Sequence, residues 1–185
     1  MRSEAKLTLI LGGARSGKSR YAESLISALP PPWFYLATAT AGDDEMAVRI
    51  AAHRARRSPP WHTIEATRDL TGALAARGHA PALVDCLTLW LSNLMLAEVD
   101  VEAEIDRLER ALQAAAAPVV LVANEVGLGI VPDHLLGRRF RDWQGLLNQR
   151  MAARADRVVL MVAGLPVVLK DAAKEAPKEE PREAR

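Results

Sequence analysis

Leu7-Thr8-Leu9-Ile10-Leu11-Gly12-Gly13-Ala14-Arg15-Ser16-Gly17-Lys18-Ser19 joins an apolar run to a Gly-x-x-x-x-Gly-Lys-Ser loop. Glycines in such a loop let the backbone curl until successive N–H groups point inward at an anion. Lys18 adds a compact positive charge for the β- and γ-phosphates, and the Ser19 hydroxyl is a ligand for Mg2+. The leucine-rich run before the loop suits a buried strand, and Tyr21/Ala22, Leu25 and Ile26 after it recur at helical spacing. Strand, loop and helix together read as a nucleotide site.

The same alternation continues along the chain. Apolar runs of strand length recur at 7–11, 33–37, 82–84, 119–123 and 158–162, separated mostly by stretches with helical spacing, and 167–170 offers a last strand. This order predicts an α/β fold, a phosphate-loop NTPase fold with a mostly parallel sheet flanked by helices in a single domain. Pro30-Pro31-Pro32 ends the first helix and Ser58-Pro59-Pro60 the second, because proline lacks the N–H that a continuing helix needs. Between 96 and 117, Val99, Ile105, Leu108 and Leu112 are spaced close to a helical period. Asp100, Glu102, Glu104 and Asp106 come early and arginines late, as the helix dipole favours. The catalytic domain is expected over residues 1–170. From 171 to 185 the composition collapses to Lys, Glu, Arg, Ala, Pro and one Asp, and a disordered charged tail is expected there.

Bulk properties narrow the partners. The chain has 185 residues, half of them hydrophobic, and a formal net charge of +1, so overall charge implies neither nucleic acid nor a membrane surface. One cysteine, Cys86, excludes an internal disulfide framework and a cysteine-built zinc site, and it reads as a small apolar residue at the end of a core strand. The first six residues lead into an apolar run too short for a signal peptide, and no apolar stretch approaches about 18 residues. A soluble cytoplasmic protein is expected.

Three constellations carry further chemistry. Ala82-Leu83-Val84-Asp85 is an apolar strand ending in a carboxylate, placed to face Mg2+ or nucleotide beside a phosphate loop, or else to cap the segment that follows. A second strand ends in Asn124-Glu125-Val126-Gly127, where Glu125 is either a reserve ligand or a carboxylate bonded to its own loop. The stretch 43–57, DDEMAVRIAAHRARR, starts acidic and ends basic like a dipole-matched helix. On it His53 has Arg49 four residues before and Arg56 and Arg57 three and four after. Nearby cations favour neutral imidazole, a nucleophile, and the same arginines suit a polyphosphate. A half-buried histidine beside a solvated basic face is the plainer alternative. An RNA-binding reading of the arginines lacks aromatic interleaving or a wider basic patch.

Taken in order, GGARSGKS, ATATAGDDEM, RIAAH, Trp61-His62-Thr63-Ile64-Glu65, LVDCLTLWLSNL, ANEVGLGIVP and GRRFRDWQGLLNQRMAARAD resemble the bifunctional adenosylcobinamide kinase / adenosylcobinamide-phosphate guanylyltransferase family of cobalamin biosynthesis. The resemblance covers nearly the whole chain up to about Lys170. It implies phosphorylation of adenosylcobinamide by ATP or GTP, then transfer of GMP from GTP to adenosylcobinamide phosphate through a covalent GMP-histidine intermediate, giving adenosylcobinamide-GDP. His53 matches the histidine of the RIxxH pattern, and Lys18 is the second catalytic residue expected. By the same matching, the nucleotide contacts implied are Gly12, Gly13, Ala14, Arg15, Ser16, Gly17, Lys18 and Ser19, then Ala37, Thr38 and Ala39. They continue with Arg54, Ala55, Arg56 and Arg57, then Glu65 and Asp85, with Ser19 and Asp85 as the metal ligands. Some relatives carry a second histidine beside the active one, whereas here Ala52 precedes His53. His62 reads as a loop histidine, and His79 and His134 lack a comparable arginine set. The family's homo-oligomers are a further expectation, with the amphipathic stretch 140–151 either at such a contact or in the core.

Two other classes compete on sequence grounds. One is a phosphate-loop kinase for another small metabolite, with His53 structural. The other is a GTP-binding switch, disfavoured because the Asn-Lys-x-Asp guanine signature is absent. Neither class calls for the later blocks.

Overall fold

In the computed structural model, which describes residues 5–40, 51 and 58–172, the strands form one seven-stranded sheet. They are β1 (Leu7–Gly12), β2 (Trp33–Ala37), β3 (Trp61–Glu65), β4 (Ala82–Asp85), β5 (Val119–Val122), β6 (Arg157–Val162) and β7 (Leu165–Asp171). Their order across the sheet is β3-β2-β4-β5-β1-β6-β7, parallel throughout except for the antiparallel β7. The helices among the described residues are α1 (Lys18–Ser27), α2 (Leu70–Ala76), α3 (Leu87–Leu96), α4 (Val101–Gln113) and α5 (Leu135–Arg154).

Strand alternation divides the core in two. Leu9, Leu36, Val84 and Leu121 point to one face, where α2, α3, α4 and α5 bury Leu70, Trp90, Ile105, Leu108, Leu147 and Met151. Ile10, Tyr35, Leu83, Val120, Val122 and Val159 point to the other, where α1 places Ala22 and Ile26. The central strands are covered on both sides, which is why they read as unbroken apolar runs in the sequence.

Local chemistry sets the helix ends. The Asp69 carboxylate accepts the Gly72 N–H at 2.8 Å at the start of α2, and Asp100 accepts the Ala103 N–H at 3.1 Å at the start of α4. On α4, Val101, Ile105, Leu108 and Leu112 form the buried stripe, Glu102 and Glu104 lie in the first turn, and Arg110 in the last. Val99, expected on that stripe, falls before the helix and is 39% exposed, because Asp100 caps α4 one residue after it.

Two expectations change at the sheet edges. The segment 61–65, absent from the apolar runs that predict strands and with His62 expected in a loop, forms β3, pairing in parallel with all five residues of β2. An edge strand with exposed His62, Thr63 and Glu65 has too few apolar residues to announce itself. At the other edge, β7 includes Asp171, which was expected in the tail. It is paired with Arg157, and the Ala172 N–H bonds the Asp156 carbonyl at 2.9 Å. Residues 173–185 lie outside the described residues. The stretch 140–151 falls within α5, where Phe140 and Trp143 pack against the core and Leu147 and Met151 are fully buried.

An ion-pair cluster ties α4 to α5. Arg150 donates through Nε to Glu109 at 2.8 Å and also bonds Asp106, while Arg154 lies 3.4 Å from Glu109. The Arg150 hydrogen bond, foremost, holds the Glu109 carboxyl below the usual glutamate range against the opposing effect of burial. A carboxyl depressed in the folded state adds stability above its unfolded pKa and loses it as pH falls through the folded value. Glu109→Gln is therefore expected to melt below wild type at pH 7, with the difference closing as the pH is taken below about 4. A gap that stays constant in thermal melts across that range would remove the ion pair from the account.

Candidate active site

The loop between β1 and α1 is shaped by close approach and by left-handed backbone. Gly12 has φ +151°, and a Cβ there would stand 2.5 Å from the Met161 carbonyl oxygen and 2.8 Å from Ser16 Oγ. Gly17, at φ +94°, turns the chain into α1. From the neighbouring hairpin the Gly164 N–H donates to the Ser16 carbonyl at 3.1 Å. Ser16 Oγ is buried and has no hydrogen-bond partner among the described residues, an orphaned donor inside the loop.

Lys18 opens α1 and is 8% exposed, with its Nζ donating to the Gly13 carbonyl at 2.6 Å. Burial pushes the ammonium below the usual lysine range, and Cys86 and Asp85 work against that shift. The loop thus holds a poorly hydrated cation in a fixed place.

Parallel register brings the next residues level with one another. Glu65 of β3 pairs with Ala37 of β2, Ala37 with Asp85 of β4, and Asp85 with Val122 of β5, which pairs in turn with Ile10 of β1. Registered neighbours in a sheet share a face, so Glu65, Ala37 and Asp85 stand at the carboxyl ends of their strands on the face that α1 covers. Asp85 accepts from the Tyr35 hydroxyl at 2.9 Å. The Asp85 cap alternative fails, since the position before α3 belongs to Cys86, which makes no side-chain cap bond.

Thr38 fastens the end of β2 to that of β4. Its Oγ1 accepts the Cys86 N–H and donates to the Cys86 carbonyl, both at 2.7 Å, and Asn93 Nδ2 donates to the Thr38 carbonyl at 2.8 Å and to the Thr67 carbonyl at 2.9 Å. Ala39 follows, half-buried. The Cys86 thiol is pushed up to about 11, by burial first and the Asp85 charge second, so it stays protonated and inert as the core residue expected from sequence.

The remaining candidates separate cleanly. Glu125 accepts the Gly127 N–H at 2.7 Å, which is the loop-bonded alternative, while its own N–H reaches the Gly12 carbonyl at 3.1 Å. His62 stacks on Phe34, ring centroids 5.3 Å apart, on the sheet face opposite Asp85. His134 caps α5 by accepting the Gly137 N–H at 3.0 Å, and His79 lies in the turn before β4, at the far end of the sheet from the loop. His53, Arg54, Ala55, Arg56 and Arg57 lie outside the described residues.

Four supporting residues were not picked out from sequence: Thr88, Asn93, Gln144 and Asn148. Gln144 and Asn148 are 0% and 5% exposed, and Gln144 donates to Asn148 at 2.8 Å. Polar residues at i and i+4 on the stripe that also carries Leu147 and Met151 were the available signal.

Comparison with known proteins agrees with this geometry. Residues 8–169 match the model of the family described as cobinamide kinase / cobinamide phosphate guanyltransferase. CobP of Pseudomonas aeruginosa, a bifunctional adenosylcobalamin biosynthesis protein, is 48% identical over 166 residues, which is 88% of this chain and 96% of the relative. CobU of Salmonella typhimurium, with the same description, is 43% identical over 182 residues, covering 89% of this chain and 99% of the relative. CobU of Escherichia coli is 41% identical with equal coverage. Among the described residues no helix is long and apolar enough to cross a membrane. With the match running from the phosphate-loop strand to the last strand of the sheet, the chain belongs to the cobinamide kinase / cobinamide phosphate guanyltransferase family.

Proposed function

We propose that this chain carries out both reactions of its family from one nucleotide site. In the first, the aminopropanol hydroxyl oxygen of adenosylcobinamide bonds to the γ-phosphorus of ATP or GTP. The bond to the β,γ-bridging oxygen breaks, the nucleoside diphosphate leaves, and the hydroxyl proton passes to water. In the second, a ring nitrogen of His53 bonds to the α-phosphorus of GTP and pyrophosphate leaves. A phosphate oxygen of adenosylcobinamide phosphate then displaces the imidazole, giving adenosylcobinamide-GDP and restoring His53.

The observation that carries this reading is the row Glu65–Ala37–Asp85 level with a loop that buries Lys18 on the same face of the sheet. Phosphoryl transfer asks mainly for positioning and charge, and a lysine desolvated among loop amides supplies both. Ser19 and Asp85 would hold Mg2+ with the triphosphate oxygens. Such an ion takes one or two protein oxygens and completes its shell with phosphate and water. When bound, the ion supplies neutralising charge to the phosphates. Arg54, Ala55, Arg56 and Arg57 follow His53 directly, and the guanidinium groups of the three arginines fit a polyphosphate and favour a neutral imidazole. The same reading puts the protein in the cytoplasm, as a homo-oligomer, with residues 1–170 as the catalytic unit and a charged tail beyond.

The experiment is incubation with GTP labelled at the α- or the γ-phosphate, followed by denaturation. Label from the α-position is expected to stay on the protein, labile in acid and stable in base as a phosphorus–nitrogen bond should be, and to vanish in His53→Ala but not in His62→Ala. Retention that survives His53→Ala would sink the covalent step. Kinase turnover on cobinamide is expected to persist in His53→Ala, whereas Lys18→Ala should lower it about 100-fold or more. A Lys18→Ala protein with full turnover would remove the phosphate loop from the mechanism.

A further inference from the structure

The end of β5 carries a polar assembly that neither the loop nor the Asp85 row explains. β5 lies between β1 and β4, so the residues following it emerge between the phosphate loop and Asp85. There the backbone of 123–125 is held from both sides. The Ala123 N–H bonds the Ile10 carbonyl at 3.0 Å and the Glu125 N–H bonds the Gly12 carbonyl at 3.1 Å, both toward β1. The Asn124 N–H points the other way, to Thr88 Oγ1 at 2.7 Å in the first turn of α3. The Asn124 carbonyl accepts from Asn148 Nδ2 at 3.1 Å, and Gln144 donates to the Asn148 Oδ1 at 2.8 Å behind it.

Thr88, Gln144 and Asn148 are all buried, and burying an amide in a core costs stability unless its bonds achieve something. Here they converge on the main chain of one residue. Alternation along β5 puts Asn124 on the face of Val120 and Val122, the one shared with Asp85 and α1. Asn124 is half-buried, and no hydrogen bond of its carboxamide occurs among the described residues.

We propose that the Asn124 carboxamide is a further catalytic group, donating a hydrogen bond to the γ-phosphoryl of the bound nucleoside triphosphate, and that Thr88, Asn148 and Gln144 are its positioning residues. The proposal rests on the nucleotide site of the preceding section. The loop amides wrap the inner phosphates and Lys18 reaches the outer ones, so the γ-phosphoryl lies toward the gap between loop and Asp85, into which β5 delivers Asn124. An amide takes no proton. It stabilises the oxygens of the phosphoryl group while the bond to the bridging oxygen breaks and the acceptor hydroxyl oxygen bonds to phosphorus.

The test begins with affinity, which needs no acceptor substrate. Wild type should bind Mg2+–GTP more tightly than Mg2+–GDP. Asn124→Ala should cut that preference about tenfold with GDP affinity unchanged, and Asn124→Asp, which keeps the shape but presents a carboxylate, should cut it further. Kinase kcat on cobinamide should fall by a similar or larger factor with circular dichroism and Tm near wild type. Asn148→Ala should also lower kcat, and the double variant Asn124→Ala/Asn148→Ala should be no slower than Asn124→Ala alone. A triphosphate preference unaltered in both Asn124 variants would overturn the catalytic role, and losses that multiply in the double variant would overturn the positioning role. Failure of the function reading looks different: wild type itself would leave cobinamide unphosphorylated while the GTP and GDP affinities still responded to Asn124.

Discussion

Register between neighbouring parallel strands is the constraint on which this site depends. Glu65, Ala37 and Asp85 are level only because β3, β2 and β4 pair without a bulge. A slip of one residue between β2 and β4 would turn Asp85 to the opposite face, away from Lys18 and among the apolar side chains of α3 and α4. The register is fixed from below by burial, since Leu36 and Val84 fill one core and Tyr35 and Leu83 the other. It is fixed from above by polar bonds at the strand ends. Thr38 clasps the backbone of Cys86, and the Tyr35 hydroxyl holds Asp85. The two layers agree, so the carboxylate is placed by the whole sheet.

The loop depends on the same sheet from its other side. Gly12 approaches Met161 of β6 so closely that no side chain fits, and the Gly164 N–H ties the loop to the β6–β7 hairpin. Lys18 is buried in that loop, its Nζ on the Gly13 carbonyl. A cation held in a dry loop is expensive in isolation, and the Asp85 charge lessens that cost. What results is a cation fixed in a desolvated loop, its electrostatic work done during folding.

Much of this was legible in the sequence because the informative residues are those that physics leaves few choices for. An apolar run ending in Gly12 to Ser19 has one common structural outcome, and 33–37 and 82–84 are apolar runs of strand length that follow the prolines 30–32 and Pro81. β3 escaped because an edge strand meets one partner and water, so three of its five residues are exposed and no alternation survives. The boundary at Asp171 was misplaced for a related reason, since a charged residue paired at an edge looks in sequence like the start of a tail. His53 is a different case. It was found by its arginines and by family resemblance, and its standing comes from those and not from packing. Thr88, Asn93, Gln144 and Asn148 were passed over because a polar residue on an otherwise apolar helix reads as a break in the pattern, when it can instead be a bond to a particular backbone atom.

Those buried amides also bear on what the core is for. Leucine at position 144 would satisfy the apolar face of α5 at least as well, and the Gln144 Oε1, buried without a partner among the described residues, costs about 1–3 kcal/mol as it stands. A core selected for stability alone would not keep it. The chain Gln144, Asn148, Asn124 runs from the interior to the end of β5, and Thr88 meets it from the helix that follows Asp85. Stability given up in the core is thereby exchanged for a fixed backbone between the loop and the carboxylate strand. That is the point in the sheet where a triphosphate held by Lys18 would present its outermost phosphorus.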